Sequence, residues 1–231
     1  MDNKLKSTEQ EALSQEDIES NILDRKLSKL MRQDLTNEQI MEILHWKDLF
    51  VVGRFLHEYD FEEEDLPIIH SFILNNLDHE DRLFVSDLIE VATELDLELP
   101  YLKCLEFLDW KAKADSDEDD QHYVVMATID YVFKNLKQKY IARIVDSLNN
   151  ILNNRNSYQS TQVRADFVLF RITQKQKYLR DMIDLVINEK HQGLLNNILK
   201  DEYNRQRYFE YHDFLKLICR PEKKQKKTLA D

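Results

Sequence analysis

Glycine is nearly missing from this chain, which holds two glycines, Gly53 and Gly193, and three prolines in 231 residues. Average usage would give roughly 16 glycines and 12 prolines at this length. Because glycine supplies the positive-φ turns that hairpins and phosphate-binding loops require, we expect helices joined by short polar turns. The shortage also excludes common catalytic motifs, since no Gly-x-x-x-x-Gly-Lys loop is present and neither glycine lies beside a serine in a nucleophile elbow.

Cysteines and long apolar runs are also scarce. Cys104 and Cys219 fall at apolar-spaced positions of predicted helices, which is typical of buried, reduced thiols and not of a disulfide framework. The longest strongly apolar run covers residues 49–52, far short of the roughly 20 residues that span a bilayer. The first residues have no apolar run behind them that would indicate a signal peptide. The sequence therefore predicts a cytoplasmic protein without a transmembrane segment.

Positive charge is scarce in the first half of the chain. Residues 1–120 hold 12 Lys and Arg against 32 Asp and Glu, whereas residues 121–231 hold 20 against 12. The whole chain carries a formal net charge of −12. Charge asymmetry of this kind determines which partners are attracted and says little about the fold. We expect an electrical dipole if the two halves are separate in space, and such a dipole would permit head-to-tail self-association.

The sequence is rich in helical periodicity, with apolar residues at three- and four-residue spacing along most of its length. Three helix openings, Asp34-Leu35-Thr36, Asp65-Leu66-Pro67 and Glu98-Leu99-Pro100, follow one another at intervals of 31 and 33 residues. Thr36 is a predicted N-cap, with Gln39 as the return half of a capping box, and Asp48 is the predicted cap of the next helix. A unit of two helices cannot bury its apolar faces alone and must stack on its neighbours.

Over residues 34–112, and more weakly beyond, this pattern resembles the HEAT-like helical-repeat proteins, or alpha-solenoids. The resemblance depends on Asp65-Leu66-Pro67 through Leu77, on the helix from Asp81 to Leu95, and on Glu98-Leu99-Pro100 through Trp110. It implies a protein that scaffolds or binds through a curved surface, and it brings no catalytic residues. The predicted fold is all-α, with about ten helices stacked as antiparallel pairs in a short, solenoid-like, right-handed superhelix.

The charge and periodicity patterns together predict five parts. Residues 1–15 form a disordered or frayed N-terminus, and residues 16–112 form an acidic helical-repeat half. Residues 113–121 are an acidic loop, because five of the seven residues at 114–120 are acidic and like charges repel. Residues 122–220 are a basic helical half packed on the first, and residues 221–231 are a flexible basic tail.

One candidate site is the dense acidic segment that joins the third and fourth predicted helices. Calcium binds oxygen ligands, but the segment has neither the calcium-loop spacing nor the glycine that gives such loops their sharp turn. An acidic turn that opens a helix is the simpler interpretation, and such a turn also suits the docking of a basic partner. The side chains assigned to this contact are Glu58, Asp60, Glu62, Glu63, Glu64 and Asp65.

A second candidate lies between residues 203 and 214, where arginines and aromatic residues interleave. These residue types are enriched in binding hot spots and in surfaces that stack on nucleic-acid bases. The alternative is that the aromatic residues form the core stripe of a closing helix. The side chains assigned to partner contact are Arg205, Arg207, Tyr208 and Tyr211.

Metal and cofactor sites have little support in the sequence. Glu42 and His45 form a Glu-x-x-His on a predicted helix, but di-iron bundles need that motif twice, and Asp119 and His122 lie in the acidic loop. We therefore expect no metal and no cofactor.

The hypothesis that follows is a non-enzymatic protein–protein interaction module, in its sharpest form an immunity or inhibitor-type protein. Its acidic half would bind the basic surface of a partner such as a nucleic-acid-acting enzyme or toxin. The alternative is nucleic-acid or anionic-surface binding through the basic C-terminal half, with Arg220 and the lysine tail as further contacts.

Overall fold

The computed structural model describes residues 15–111 and 120–187, and throughout these ranges the regular structure is helical, with no β-strand. The all-α prediction is confirmed. A short 3₁₀ helix, Gln138–Tyr140, precedes the eighth α-helix. The ten α-helices of the described residues are α1 Gln15–Leu30, α2 Asn37–Leu44, α3 Leu49–Glu58, α4 Leu66–Asn76, α5 Arg82–Glu94, α6 Tyr101–Leu108, α7 Gln121–Lys134, α8 Ile141–Asn153, α9 Gln159–Thr173 and α10 Gln176–Ile187.

The chain divides into two compact units, Met1–Asp78 and His79–Asp231. The first unit contains α1 to α4 and the second contains α5 to α10. The acidic segment at 113–121, which the charge pattern predicts as a boundary, lies along the chain within the second unit. The division into an acidic and a basic half and the right-handed superhelix stay predictions, as do the parts predicted for residues 1–14, 112–119 and 188–231, which lie outside the described residues.

In the first unit, local capping signals set where the helices begin. The Gln39 N–H donates to the Thr36 hydroxyl at 3.4 Å, and the Thr36 N–H donates to Gln39 Oε1 at 2.9 Å, so the predicted capping box is confirmed. Asp48 caps α3 as predicted, by accepting from the Val51 N–H at 3.1 Å. α3 packs on α1 and α2, and α2 also packs on α4. The apolar side chains buried between them include Leu27, Ile40, Ile43, Val51, Val52, Phe55, Ile69 and Ile73.

In the second unit, α7 is the central helix, because it packs on α5, α6 and α9. α9 in turn packs on α8 and α10, which places three helices around one end of this unit. Asp81 caps α5 by accepting from the Phe84 N–H at 3.0 Å. The buried apolar side chains of this unit include Val85, Leu88, Ile89, Leu105, Val124, Ile129, Tyr131, Ile144, Leu148, Val163, Phe167 and Leu169.

Two of the three repeated helix openings are anchored in the same way. The Leu35 N–H donates to the Tyr59 hydroxyl at 2.9 Å, across 24 residues of chain. The Leu99 N–H donates to the Tyr131 hydroxyl at 2.7 Å, across 32 residues. In both cases the leucine of the Asp/Glu-Leu pair is tied to a tyrosine of a later helix or of its C-cap. The sequence repeat therefore corresponds to a repeated long-range contact.

The shortage of glycine has a visible consequence at helix ends. Asp96 and Gln174, each just beyond a helix, have φ of 56°, in the left-handed region that glycine usually occupies. After α5, the Leu97 N–H donates to the Ala92 carbonyl at 2.9 Å, which completes a Schellman motif around Asp96. Non-glycine residues thus take the terminal conformation at both helix ends, at a conformational cost of roughly 1 kcal/mol each.

Cys104 is buried in α6, and burial raises the pKa of its thiol to about 12. The thiol is therefore protonated at neutral pH, which agrees with the prediction of a packed structural cysteine. Cys219 lies outside the described residues. Within the described ranges, no helix is both long enough and apolar enough to cross a membrane.

Candidate functional site

The acidic turn, residues 58–65, runs from the end of α3 to the start of α4. Glu58, Asp60 and the three glutamates at 62–64 are exposed, whereas Asp65 is only 7% exposed. The five exposed carboxylates project from a segment of seven residues, so this surface carries a dense negative charge.

An aromatic cluster holds the backbone of the acidic turn in place. The ring centroids of Phe55 and Tyr59 are 5.3 Å apart, those of Phe55 and Phe61 are 5.3 Å apart, and those of Tyr59 and Phe61 are 5.0 Å apart. Such tilted and edge-to-face pairs stabilise by roughly 1 kcal/mol beyond their buried area. Because Phe55 is fully buried and the Tyr59 hydroxyl accepts from Leu35, the first half of the turn is fixed to the core of the first unit.

Asp65 has a different role from its exposed neighbours. Its Oδ2 accepts from the Glu62 N–H at 3.0 Å, and its own N–H donates to the Glu62 carbonyl at 3.0 Å. Its carbonyl accepts from the N–H groups of Ile68 and Ile69, which begins the hydrogen bonding of α4. The assignment of Asp65 to partner contact stays a prediction; its side chain is 7% exposed, and its bonds fix the backbone of the turn at Glu62.

Glu58 is paired within the first unit. The Arg54 Nε donates to both carboxylate oxygens of Glu58 at 3.0 Å, and the same guanidinium pairs with Asp24 and donates to the Ser28 hydroxyl at 3.3 Å. The negative charge of Glu58 is thereby compensated by Arg54. Asp60, Glu62, Glu63 and Glu64 form no ion pair with any described residue.

Two of the acidic residues at 94–98, Asp96 and Glu98, are compensated by lysines that follow the acidic loop in the sequence. Lys134 Nζ lies 2.6 Å from the Asp96 carboxylate, and Lys137 Nζ lies 3.0 Å from the Glu98 carboxylate. The two pairs join residues before position 120 to residues after position 121. These two carboxylates, which belong to the acidic part of the sequence, are therefore neutralised by lysines of the basic part, within the second unit.

The Glu-x-x-His spacing on α2 is used locally. Glu42 pairs with Lys26 at 3.1 Å, and His45 Nδ1 lies 2.7 Å from the Met41 carbonyl. Both side chains have partners within the first unit, so their geometry fits the interpretation of a solvated helix face.

A cavity in the second unit was not found from the sequence. α8, α9 and α10 surround a volume of about 390 Å³, which is within the range of roughly 300–1,000 Å³ of small-molecule pockets. We refer to it as the Asp166 cavity. Its lining consists of Asn149, Leu152, Asn153, Gln162, Asp166, Lys177, Asp181, Asp184 and Leu185.

Asp166 is the most unusual side chain of this cavity. It is 1% exposed, and its Oδ1 accepts no hydrogen bond from any described residue. Burial, with a further contribution from Asp181, raises the pKa of Asp166 to about 7 against the opposing effect of Lys177. The sequence signal is a carboxylate within the apolar segment 165–169, but helical spacing alone predicts only its apolar neighbours as buried.

The second sequence-predicted candidate cannot be placed, since Arg205, Arg207, Tyr208 and Tyr211 lie outside the described residues. Their assignment to partner contact stays a prediction.

No protein-family model, no curated protein and no solved structure matches this chain. The resemblance to HEAT-like repeat proteins therefore stays a prediction, and function has to be argued from the geometry of the acidic turn and of the Asp166 cavity.

Proposed function

We propose that this chain is a non-enzymatic protein-interaction module that binds the basic surface of a partner through the acidic turn. In the sharpest form of the proposal it is an immunity or inhibitor-type protein for a basic enzyme or toxin. The observation that supports it is the group of four exposed carboxylates, Asp60, Glu62, Glu63 and Glu64, on a backbone fixed by aromatic packing and by Asp65.

A fixed acidic turn suits this role for two physical reasons. Uncompensated surface charge steers an oppositely charged partner during diffusion and raises the association rate. A backbone that is already ordered loses less conformational entropy on binding than a flexible acidic segment would. Both effects require exposed carboxylates without internal partners, and this is the condition of residues 60 and 62–64.

Other charged surfaces of the described residues fit the role less well. Asp96 and Glu98 are already paired with lysines. Nucleic-acid binding would need a run of available cations, and three cations of the second unit, Lys134, Lys137 and Arg143, are each already paired with a carboxylate. The acidic turn is therefore the surface on which the proposal depends.

The test begins with affinity capture of the partner from the source cell by the full chain, followed by association kinetics with the purified partner. The salt concentration is varied from about 50 to 500 mM, which shortens the Debye length from about 14 to about 4 Å. We expect the association rate to fall steeply with salt. The combined variant Asp60→Asn, Glu62→Gln, Glu63→Gln and Glu64→Gln is expected to slow association about tenfold or more at low salt.

A matched control changes the net charge equally at scattered exposed carboxylates. It combines Asp34→Asn, Glu80→Gln, Glu106→Gln and Asp146→Asn, all of which lie outside the acidic turn. We expect this control to change the association rate by less than about threefold. Affinity that does not respond to salt, or equal losses in both variants, would show that the acidic turn is not the binding surface.

A further inference from the structure

We propose that the Asp166 cavity binds a small organic dication, and specifically an aliphatic diamine whose two ammonium groups are separated by a short methylene chain. The cavity lies within the second unit, whereas the acidic turn lies within the first, so this inference does not depend on the proposed partner binding.

Helical spacing places the lining residues on one face of each of three helices. Asn149 and Asn153 are four residues apart on α8, and Gln162 and Asp166 are four residues apart on α9. On α10, the lining residues Lys177, Asp181, Asp184 and Leu185 follow the same periodicity. The polar face of each helix therefore points at a common space, an arrangement that packing alone does not require.

The unpartnered oxygen of Asp166 indicates that the cavity lacks a hydrogen-bond donor. Buried polar atoms in proteins nearly always have a partner, and a buried ionised carboxylate without one is strongly unfavourable. Asp166 lines the cavity and is 1% exposed, so a donor bound in the cavity lies beside this carboxyl group and competes for its buried oxygen. An ammonium group supplies both the missing hydrogen bond and the compensating charge.

The charges of the lining indicate a ligand with two positive charges. Three carboxylates, Asp166, Asp181 and Asp184, and one ammonium group, Lys177, line the cavity, so its fully ionised lining has two negative charges in excess. Asp184 and Lys177 are exposed, whereas Asp166 is buried and Asp181 is partly buried. A dication neutralises both, whereas a monocation leaves like charges unpaired in a partly enclosed space.

The amides lining the cavity are held in place by hydrogen bonds within the second unit and keep oxygen lone pairs for a ligand. Asn149 Nδ2 donates to the Val145 carbonyl at 2.7 Å, and Gln162 Nε2 donates to the Ser157 carbonyl at 3.1 Å. Each of these bonds uses one N–H of the amide, so each amide keeps its oxygen and a second N–H, and the oxygen is the group that can accept from an ammonium ligand. Tyr178 donates to Asn149 Oδ1 at 2.9 Å, which orients that oxygen and leaves it one lone pair.

The geometry favours an organic cation over a bare metal ion. Among the described residues, one oxygen from each of Asp166, Asp181 and Asp184 cannot be chosen so that all three lie within 4.8 Å of one another. A calcium ion needs six to eight oxygens at about 2.4 Å, which requires a tighter cluster. Leu152 and Leu185 also line the cavity, and their apolar side chains can pack on methylene groups.

Isothermal titration calorimetry on the full chain with 1,4-diaminobutane tests the proposal. At pH 8 the Asp166 carboxyl is ionised, and we expect a dissociation constant of about 1 mM or lower. 1-Aminobutane is expected to bind at least tenfold more weakly, and the neutral isostere 1,4-butanediol is expected not to bind. Equal binding of the diol, tighter binding of Ca²⁺ or Mg²⁺ than of the diamine, or no diamine binding at 10 mM would overturn the proposal.

Variants connect the binding to the cavity. Asp166→Asn and Asp181→Asn are nearly isosteric, and each is expected to weaken diamine binding at least tenfold. The matched control Asp146→Asn changes an exposed carboxylate of α8 outside the cavity and is expected to alter binding less than twofold. Circular dichroism establishes that each variant is folded, and Asp181→Asn provides the test if Asp166→Asn does not fold. Unchanged binding in a folded Asp181→Asn variant would contradict the assignment.

Discussion

At the scale of single residues, Asp166 is a side chain whose ionisation is coupled to folding between pH 4 and 7. Its pKa is about 7 in the folded chain, against an ordinary value of 3.8. Between these two values the folded chain holds a proton that the unfolded chain has released. The free energy of unfolding that Asp166 contributes is therefore fully present below pH 4 and is lost as the pH rises to 7. Above pH 7 the contribution stays constant.

We predict that Asp166→Asn removes this pH dependence. From pH 4 to pH 7 the original chain should lose stability relative to the variant. The loss in its free energy of unfolding should be at most about 1.4 kcal/mol per pH unit. Urea denaturation at several pH values measures it. The charged groups that act on Asp166 are Asp181, which strengthens the effect, and Lys177, which weakens it.

Asp146→Asn is the control for this prediction, because Asp146 is an exposed carboxylate on α8. Its difference from the original chain should stay constant within about 0.5 kcal/mol over the same range. A flat difference for Asp166→Asn would show that this carboxyl is ionised and solvated in the folded chain.

Residues whose roles depend on near neighbours could be predicted from the sequence, and the others could not. Thr36, Gln39 and Asp48 act on backbone groups three residues away, so spacing was sufficient to identify them. Asp96 and Gln174 take left-handed conformations that the sequence marks with neither glycine nor asparagine. For such residues the determining contacts come from packing and not from local spacing.

At the scale of helices, the hydrogen bonds from Leu35 to Tyr59 and from Leu99 to Tyr131 are similar contacts at two of the three openings of the predicted repeat. Each satisfies a backbone N–H that lies just before a helix, where no helical partner is available. The tyrosines lie 24 and 32 residues further along the chain, so helical periodicity could not reveal these bonds. The repeated Asp/Glu-Leu pairs can be recognised in the sequence, but the tyrosines that bind them cannot.

We predict that Tyr59→Phe and Tyr131→Phe each lower the free energy of unfolding by about 1–2 kcal/mol. Each change keeps the ring and removes the acceptor, which leaves a backbone N–H without its partner. The loss should be larger for Tyr131, because the Leu99–Tyr131 bond is fully buried and the Leu35–Tyr59 bond is partly buried.

Chemical denaturation measures both losses, and Tyr158→Phe is the matched control. Tyr158 is 38% exposed, so removal of its hydroxyl should change stability by less than about 0.5 kcal/mol. Losses no larger than that of the control would show that water replaces the tyrosine hydroxyls at both leucines.

Helix ends that depend on contacts with other helices could not be predicted from the sequence either. Apolar residues at helical spacing continue from Val124 to Leu136, but α7 ends at Lys134. At this end Lys134 Nζ donates to the Thr93 carbonyl at 2.5 Å, and just beyond it the Lys137 N–H donates to the Tyr101 hydroxyl at 3.3 Å. The chain leaves the helix where these partners on α5 and α6 are reached.

At the scale of the whole molecule, the distribution of charge along the sequence differs from the distribution of uncompensated charge. Residues 94–98 contribute to the excess of acids before position 120, yet Asp96 and Glu98 are paired with lysines of the second half. Asp60, Glu62, Glu63 and Glu64 have no such partners among the described residues. A cationic probe should therefore distinguish the acidic turn from residues 94–98, although both segments are acidic in the sequence.

We predict that an oligolysine peptide binds the full chain at the acidic turn and not at residues 94–98. The double variant Glu62→Gln, Glu63→Gln should weaken peptide binding about fivefold at low salt, because each change removes an uncompensated charge. The double variant Asp96→Asn, Glu98→Gln alters the net charge equally but should change the affinity less than twofold, since Lys134 and Lys137 already neutralise those carboxylates. Fluorescence anisotropy of a labelled peptide measures both. Both losses should disappear near 500 mM salt, where the screening length is about 4 Å. Equal losses in the two double variants at low salt would mean that the peptide responds to the total charge alone.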